Sequence, residues 1–164
     1  MMTVQTLKPT RQSRHCDSLE QEVFLNMWRT YDRLRAFEDE LFSRYELTPQ
    51  QYNALRLLKS VQPETLATLD LGSRLVSRAP DITRLLDKLE QRGLIARDRP
   101  AENRRMVRIG ITDAGLELLE ELSEPILECH SRQLGHLSRT QLQELSDLLR
   151  AAREPHEAEG SAWI

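Results

Sequence analysis

The chain has 164 residues, of which 30% are charged and 5% aromatic, with a formal net charge of -3 and a mean hydropathy of -0.55. This length predicts one domain, or one domain with an extension, and the composition is typical of a soluble protein with a leucine-built core. No run approaches the roughly 18 apolar residues of a membrane span, and the N-terminus has no apolar signal segment. Two cysteines, Cys16 and Cys129, predict reduced thiols and a cytoplasmic location rather than a disulfide framework.

The first predicted element is a long helix. Asp17 or Ser18 can cap its start, because Glu20 and Gln21 follow at the spacing of a capping box. Its apolar positions are three or four residues apart: Leu19, Val23, Met27, Tyr31, Leu34, Phe37, Leu41 and Tyr45. This stripe is too long for a helix that rests on one small core. It therefore predicts a partner helix, perhaps from a second chain.

A second helix begins at the sequence Thr48-Pro49-Gln50-Gln51. Thr48 caps it, Pro49 occupies the first helical position, where a missing N–H has no cost, and Gln51 completes a capping box. The helix carries Tyr52, Leu55 and Leu58, and is expected to end near Val61 before the break at Pro63.

Two shorter helices joined by a tight connection follow. The first covers roughly residues 68–75, and the second begins at Pro80 and ends at Gly93, a residue suited to the left-handed position after a helix. The second helix has a buried stripe with helical spacing, formed by Ile82, Leu85, Leu86 and Leu89. Because Arg84 and Lys88 lie on its other side, the pair predicts a helix-turn-helix with a recognition helix.

A basic hairpin follows at once. Residues 94–97 predict one strand and residues 107–111 its return, with Ile109 and Ile111 on one face. The tip between them, residues 99–106, holds Pro100, Asn103 and three arginines. A helix-turn-helix followed by such a hairpin is a winged helix: its recognition helix enters the major groove, and its wing reaches the backbone and the minor groove.

The local charge supports a polyanionic partner. Residues 74–108 contain ten basic and five acidic side chains, a local net charge of +5 that leaves -8 on the rest of the chain. A nucleic acid is attracted by the positive charge of the surface that it approaches, even when the net charge of the whole chain is negative. The alternative is a solvated charged face of an ordinary helical protein.

The remaining elements are two C-terminal helical segments. Thr112-Asp113 opens a helix carrying Leu116, Leu119, Leu122 and Ile126, which is expected to bend or break near Pro125. Ser138 and Gln141 form another capping box before the leucines at 142, 145, 148 and 149. The predicted fold class is mostly α with a small β-hairpin wing.

Residues 47–122 resemble the multiple-antibiotic-resistance-regulator (MarR) family of bacterial transcription factors. Three segments carry the resemblance: "LTPQQYNALRLL", "SRAPDITRLLDKLEQRGLIAR" and "ENRRMVRIGITDAGLELLEEL". The family's wing signature, Asp-x-Arg-x-x-x-Val-x-Leu-Thr, matches this chain at Asn103, Arg105, Ile109, Ile111 and Thr112. Asn103 replaces the signature's aspartate, which removes a carboxylate able to pair with a nearby arginine.

The resemblance implies a homodimer whose N-terminal and C-terminal helices interlock, with two winged lobes reading half-sites about one helical turn apart in a near-palindromic operator. The predicted organisation is a tail (1–16), a dimerisation helix (17–46), the winged-helix lobe (47–112), the C-terminal dimerisation helices (113–153) and a second tail (154–164). The protein is expected to repress transcription. The candidate DNA contacts are Ser77, Arg78, Pro80, Asp81, Thr83, Arg84, Lys88, Arg104 and Arg105.

Individual DNA contacts have alternatives. Arg84 is the best candidate for reading a base edge, because arginine pairs with the two acceptors of guanine, and a phosphate contact is its alternative. Asp81 either favours the helix dipole or rejects certain bases. Lys88 is expected at a phosphate or on a solvated face, and Arg97 and Arg99 are expected as stem residues with no partner beyond water.

An effector site is also implied by the resemblance, since family members often bind small aromatic or phenolic compounds between the dimerisation helices and the winged lobe. The corresponding residues here are Trp28, Tyr31, Phe37, Tyr52 and Leu55. Ordinary core and dimer packing is the alternative for each of them.

Other functions have weaker support. A redox switch at Cys16 is one alternative, although the family's sensing position aligns with Phe24. Cys129 and His136 share a predicted helical face, but two ligands fall short of a metal site, so no metal and no cofactor are predicted. No phosphate-binding glycine loop, Gly-x-Ser-x-Gly or His-Glu-x-x-His is present, which argues against an enzyme. The remaining alternative is a helical adaptor that binds proteins and not DNA.

Overall fold

The computed structural model describes residues 16–76, 81–100 and 106–157. Its elements are, in chain order, α1 (Leu19–Ser43), α2 (Pro49–Ser60), β1 (Leu66–Ala67), α3 (Thr68–Arg74), α4 (Ile82–Gln91), β2 (Ile95–Asp98), β3 (Arg108–Ile111), α5 (Asp113–Glu121), α6 (Ser123–Leu134), α7 (Arg139–Arg153) and a 3-10 turn (Glu154–His156). The predicted fold class, mostly α with a small sheet, is confirmed. Over the described residues, no helix is long and apolar enough to cross a membrane.

The described residues divide into two compact units. The first ends at Phe37 within α1, and the second begins at Glu38 and contains the other elements. The second unit holds the largest fully buried side chains: Phe42, Leu55, Leu58, Leu71, Leu86, Leu89, Ile109 and Leu122. Leucine therefore builds most of this core, as the composition predicts.

The capping motifs predicted for α1, α2 and α7 are confirmed, whereas α4 begins at Ile82 with Asp81 as its N-cap, later than the predicted start at Pro80. At α2 the Gln51 amide donates to Thr48 Oγ1 over 3.2 Å, and the Thr48 amide donates to Gln51 Oε1 over 2.9 Å. The same reciprocal pair opens α7 between Ser138 and Gln141. At α1 the Gln21 amide donates to Ser18 Oγ. These bonds satisfy amides that a helix start leaves without intrahelical partners.

Helix α1 is shorter than its apolar stripe predicts. It ends at Ser43, and Tyr45 lies in the turn that follows. The Leu47 amide donates to the carbonyl of Phe42, and Glu46 between them has a positive φ of 53°. The chain thus reverses immediately after α1, so spacing alone placed the helix end too late.

The sheet has three strands and not the two of a simple hairpin. Its order is β1-β3-β2, with both pairings antiparallel. Sequence analysis missed β1, because Leu66–Ala67 is too short to show an alternating pattern. Strands β2 and β3 each begin one residue later than predicted.

The interruption predicted near Pro125 lies at Leu122, between α5 and α6. Pro125 occupies the first turn of α6, where its missing N–H costs little. Continuing α5 through this point would place the proline ring against the carbonyl of Glu121, which explains a break just before it.

A close-packed junction joins α4, the sheet and α5. Gly93 ends α4 with a φ of 68°, as its predicted left-handed position requires. Thr112 donates from Oγ1 to the carbonyl of Gly93 over 2.6 Å and from its amide to the carbonyl of Leu94 over 3.2 Å. The same Oγ1 accepts from the Gly115 amide and caps α5. A Cβ at Gly115 would lie 2.3 Å from the Leu94 carbonyl oxygen, so only glycine fits there.

Candidate nucleic-acid interface

The start of the recognition helix α4 is set by Asp81. Its Oδ1 accepts from the Arg84 amide over 2.9 Å, which makes Asp81 the N-cap. A carboxylate at this position also interacts favourably with the positive end of the helix. Asp81 therefore has a structural role, and its side chain is still exposed beside the first turn.

The two faces of α4 differ as the sequence predicts. Leu85, Leu86 and Leu89 are buried, whereas Thr83, Arg84 and Lys88 are exposed. Where the structure is described, no carboxylate forms an ion pair with Arg84 or Lys88. Both cations are thus available to an external anion.

Five of the predicted contact residues cannot be placed. Ser77, Arg78 and Pro80 precede α4, and Arg104 and Arg105 belong to the predicted wing tip, as does Asn103; all lie outside the described residues. For these residues the DNA contacts stay predictions.

The helix-turn-helix is fastened to α2 by a side chain that sequence analysis did not identify. Asn53 of α2 accepts from the Val76 amide through Oδ1 over 3.0 Å, just after α3. Leu71 of α3 is fully buried, and a Cβ at Gly72 would lie 3.2 Å from Ile82 Cδ1. Nothing in the local pattern distinguishes Asn53 from an ordinary polar helix residue, because its partner is 23 positions away.

The prediction for Arg97 was wrong. Instead of facing only water, Arg97 of β2 donates from Nη1 to Asp87 Oδ1 over 2.7 Å, and the same nitrogen lies 3.3 Å from Glu90 Oε2. Its Nη2 donates to the carbonyl of Thr83 over 3.4 Å. Strand β2 and helix α4 are adjacent through the turn at Gly93, so a long side chain on the strand reaches back across the helix.

Arg92 is a second basic residue whose guanidinium is hydrogen-bonded within the protein. At the end of α4 it donates from Nη1 to the Glu46 carbonyl over 2.7 Å and from Nη2 to the Tyr45 carbonyl over 3.0 Å. The basic field of residues 74–108 is therefore divided. Arg92 and Arg97 hold α4 in place, and Arg84 and Lys88 face outward.

The predicted effector residues are distributed over both units. In the first unit, Trp28 and Tyr31 are each 63% exposed on α1 and line a shallow apolar depression with Phe24 and Met27. Phe37, at the end of that unit, is half-buried.

In the second unit, Leu55 is fully buried in the core, and the Tyr52 ring packs on the Phe42 ring with centroids 4.9 Å apart. Tyr52 also lines a cavity of about 540 Å³ that sequence analysis missed. The other lining residues come from α2, α5 and the start of α6: Arg56, Lys59, Ser60, Leu119, Glu120, Ser123, Ile126 and Leu127.

The two cysteines have different surroundings. Cys129 of α6 is buried, and burial raises the pKa of its thiol, with a further contribution from the negative charge of Glu38 that Arg132 partly offsets. Cys16 is half-buried. The proposed shared face of Cys129 and His136 is wrong, because α6 ends at Leu134 and His136 follows it. Among described residues, no three His, Cys, Asp or Glu side chains are grouped to hold a metal ion.

Comparisons with known proteins agree with the winged-helix geometry. The sequence profile described as "MarR family" matches residues 47–107. The HTH-type transcriptional regulator FarR of Neisseria gonorrhoeae is 31% identical over 109 residues, which cover 66% of this chain and 73% of FarR. The transcriptional repressor MprA of Escherichia coli K12 is 28% identical over 142 residues, covering 85% of this chain and 81% of MprA.

A solved structure is more similar in sequence. The crystal structure of a MarR transcription factor from Planctomyces limnophilus is 57% identical, with a TM-score of 0.67, and the match covers 83% of this chain and 98% of that one. Both the sequence and the chain trace thus point to the same family.

The thiol environments predict a reactivity difference. Because the thiolate is the reactive form, we expect the Cys16→Ser variant, which retains buried Cys129, to react with a disulfide reagent at pH 7.5 about tenfold or more slowly than Cys129→Ser. Because the pKa of Cys129 is raised, its labelling rate should continue to rise at pH values where an ordinary thiol is already fully ionised. Absorbance-monitored labelling measures both rates. Labelling in denaturant is the control, where the two should converge; equal rates in the folded proteins would contradict the assignment.

Proposed function

Because this chain belongs to the MarR family of transcriptional regulators, we propose that it acts as a homodimeric repressor that binds a near-palindromic operator. It is a DNA-binding regulator and not an enzyme. The name of MprA, a transcriptional repressor, supports the sign of the regulation. We place its action in the bacterial cytoplasm, where such a protein meets its DNA.

The observation that carries the proposal is the exposed face of α4. Thr83, Arg84 and Lys88 point away from the core on a helix whose other face is packed by leucines. A helix of this kind fits the major groove, where Arg84 would donate to the two acceptors of a guanine. Lys88 is one turn further on and would meet a phosphate as a point charge.

The wing and the turn before α4 complete the proposed interface. Arg104 and Arg105 are proposed to contact the phosphate backbone and the minor groove, whose negative potential attracts arginine. Ser77, Arg78 and Pro80 are proposed to contact the backbone beside the start of the helix. We infer these five contacts from the sequence and from the position of the wing stem.

The dimer is proposed from uncovered apolar surface on two helices. No residue of α7 is buried, although Leu145, Leu148 and Leu149 share one face. On α1, Leu19, Val23, Phe24 and Trp28 are between 48% and 64% exposed. Leaving this apolar surface exposed to water costs about 25 cal/mol per Å². Contiguous apolar patches usually mark interfaces. A second copy is the occupant that fits, because it would bring the same two helices with the same faces uncovered.

Effector control is proposed at the cavity between α2 and the α5–α6 segment. The Arg56 guanidinium lies 5.9 Å from the Tyr52 ring centroid, and its Nη1 donates to Tyr52 Oη over 3.2 Å. Lys59 adds a second cation, and Leu119 and Ile126 supply apolar walls. This combination suits a small aromatic acid, with its ring on the apolar wall and its carboxylate at the cations. Of the five effector residues predicted from sequence, only Tyr52 lines this cavity.

DNA binding should depend on the two exposed cations of α4 in different ways. We expect Lys88→Ala to lower affinity for all duplexes and to reduce the slope of log affinity against log salt by about 0.9. Arg84→Ala should cost about 1–3 kcal/mol on the operator and also relax base preference. Selection from random duplex followed by titration at several salt concentrations measures both effects.

Arg139→Ala, which removes one exposed charge at the start of α7, is the matched control and should bind as the parent does. Arg105→Ala should weaken binding to every sequence, as expected for the wing. If the parent protein binds duplex with no salt dependence, the adaptor alternative is correct instead.

The dimer should depend on the uncovered face of α7. Leu148→Glu is expected to convert the dimer to single subunits at micromolar concentration, because it buries a carboxylate in an apolar contact. Sedimentation analysis measures the mass. Thr140→Glu, in the first turn of α7 about two turns before Leu148 and about 80° around the helix axis from it, is the control and should stay dimeric. A parent protein that sediments as one subunit would exclude the dimer.

Ligand binding should require Arg56. We expect 4-hydroxybenzoate to bind and lower duplex affinity, and its neutral alcohol counterpart to bind more weakly. Arg56→Gln should weaken the acid about tenfold, the loss of one charge-assisted hydrogen bond, while duplex affinity without ligand stays unchanged. Calorimetry measures the ligand affinity. Equal binding of acid and alcohol, or no effect of Arg56→Gln, would rule out this site.

A further inference from the structure

We propose that Arg97 is a positioning residue for DNA binding, which sets the rotation of α4 and neutralises two carboxylates on the helix edge that adjoins its DNA-facing stripe. This inference rests on the proposed function, because it takes the exposed face of α4 as the surface that meets DNA. Arg97 itself does not contact the nucleic acid in this account.

The contacts of Arg97 extend over most of α4. From β2 it reaches Asp87 Oδ1 at 2.7 Å, Glu90 Oε2 at 3.3 Å and the Thr83 carbonyl at 3.4 Å. Positions 83, 87 and 90 are four and three residues apart, so they lie along one edge of the helix. A planar guanidinium with several fixed donors can hold three such acceptors together, whereas a lysine ammonium is a point charge.

This edge adjoins the proposed DNA-facing stripe. Arg84 and Lys88 each follow an Arg97-contacted residue by one position, about 100° further around the helix axis. Fixing the edge at Thr83 and Asp87 therefore fixes the direction of the two outward cations. If α4 turned about its axis, Arg84 would leave the plane in which it can pair with a base edge.

The ion pairs of Arg97 also affect the charge of the helix surface proposed to meet DNA. Asp87 and Glu90 are 47% and 43% exposed at the side chain, whereas Arg97 is 22% exposed. Without a partner, Asp87, one position before Lys88, and Glu90 on the same edge of α4 would add negative charge to this helix and weaken the attraction of phosphates to Arg84 and Lys88. The ion pairs with Arg97 reduce that effect from within the fold, at a guanidinium too covered to serve as an open phosphate contact.

The test is a double-mutant cycle on duplex affinity. Arg97→Met keeps most of the aliphatic stem and removes the guanidinium, and Asp87→Ala with Glu90→Ala removes both carboxylates together with the oxygens that accept from Arg97. In the parent background Arg97→Met should raise the operator Kd about tenfold. In the neutralised background the same change should alter Kd less than about twofold, because Arg97 then has no carboxylate to hold. Circular dichroism and thermal unfolding confirm that each variant is folded.

The outcomes separate the possibilities. A direct phosphate contact would give the same loss in both backgrounds and a salt slope reduced by about 0.9 in each, which overturns the proposal. An Arg97→Met protein that binds as the parent does would also overturn it. If Arg97→Met does not fold, Arg97→Lys replaces it in the same cycle and should show a smaller loss that again vanishes in the neutralised background. A parent that binds no duplex would instead contradict the proposed function itself.

Discussion

The junction where α4 ends and the wing begins is the constraint on which the proposed DNA-facing surface depends. Thr112 ties the carbonyls of Gly93 and Leu94 to the first turn of α5 through one side chain and one amide. The absent side chain of Gly115 lets α5 approach the Leu94 carbonyl closely. Helix, strand and following helix consequently meet within a few residues, and none can shift without breaking hydrogen bonds in the other two.

The fold uses its arginines in two ways that composition cannot distinguish. Arg92 and Arg97 turn inward along α4, one to the carbonyls after α1 and the other to carboxylates of α4 itself. Arg84 and Lys88 carry the same charge on the free side. The basic field is thus partly a structural frame that orients a smaller set of outward cations. The exposed leucines on α7, which carry the proposed dimer surface, lie on a different helix from the one proposed to read DNA.

Sequence patterns predicted those features that depend on near neighbours. The capping boxes at Thr48 and Ser138 and the buried leucine stripe of α4 repeat over three or four positions, and each is confirmed. Contacts between distant positions could not be predicted in this way. Asn53 bonds a residue 23 positions away, and the two-residue strand β1 is defined only by its partner β3. Arg97 was predicted to have no partner beyond water, because no periodicity links a strand to the helix behind it.

Asp81 shows how a regulator of this kind can diversify without losing its fold. The hydrogen bond from the Arg84 amide needs only a side-chain oxygen at position 81, which serine, threonine and asparagine also supply. Replacing Asp81 by one of them keeps this hydrogen bond at the start of α4 and removes one negative charge. A single codon can therefore change the charge beside the proposed DNA-facing surface while the start of the helix, and the fold around it, is kept.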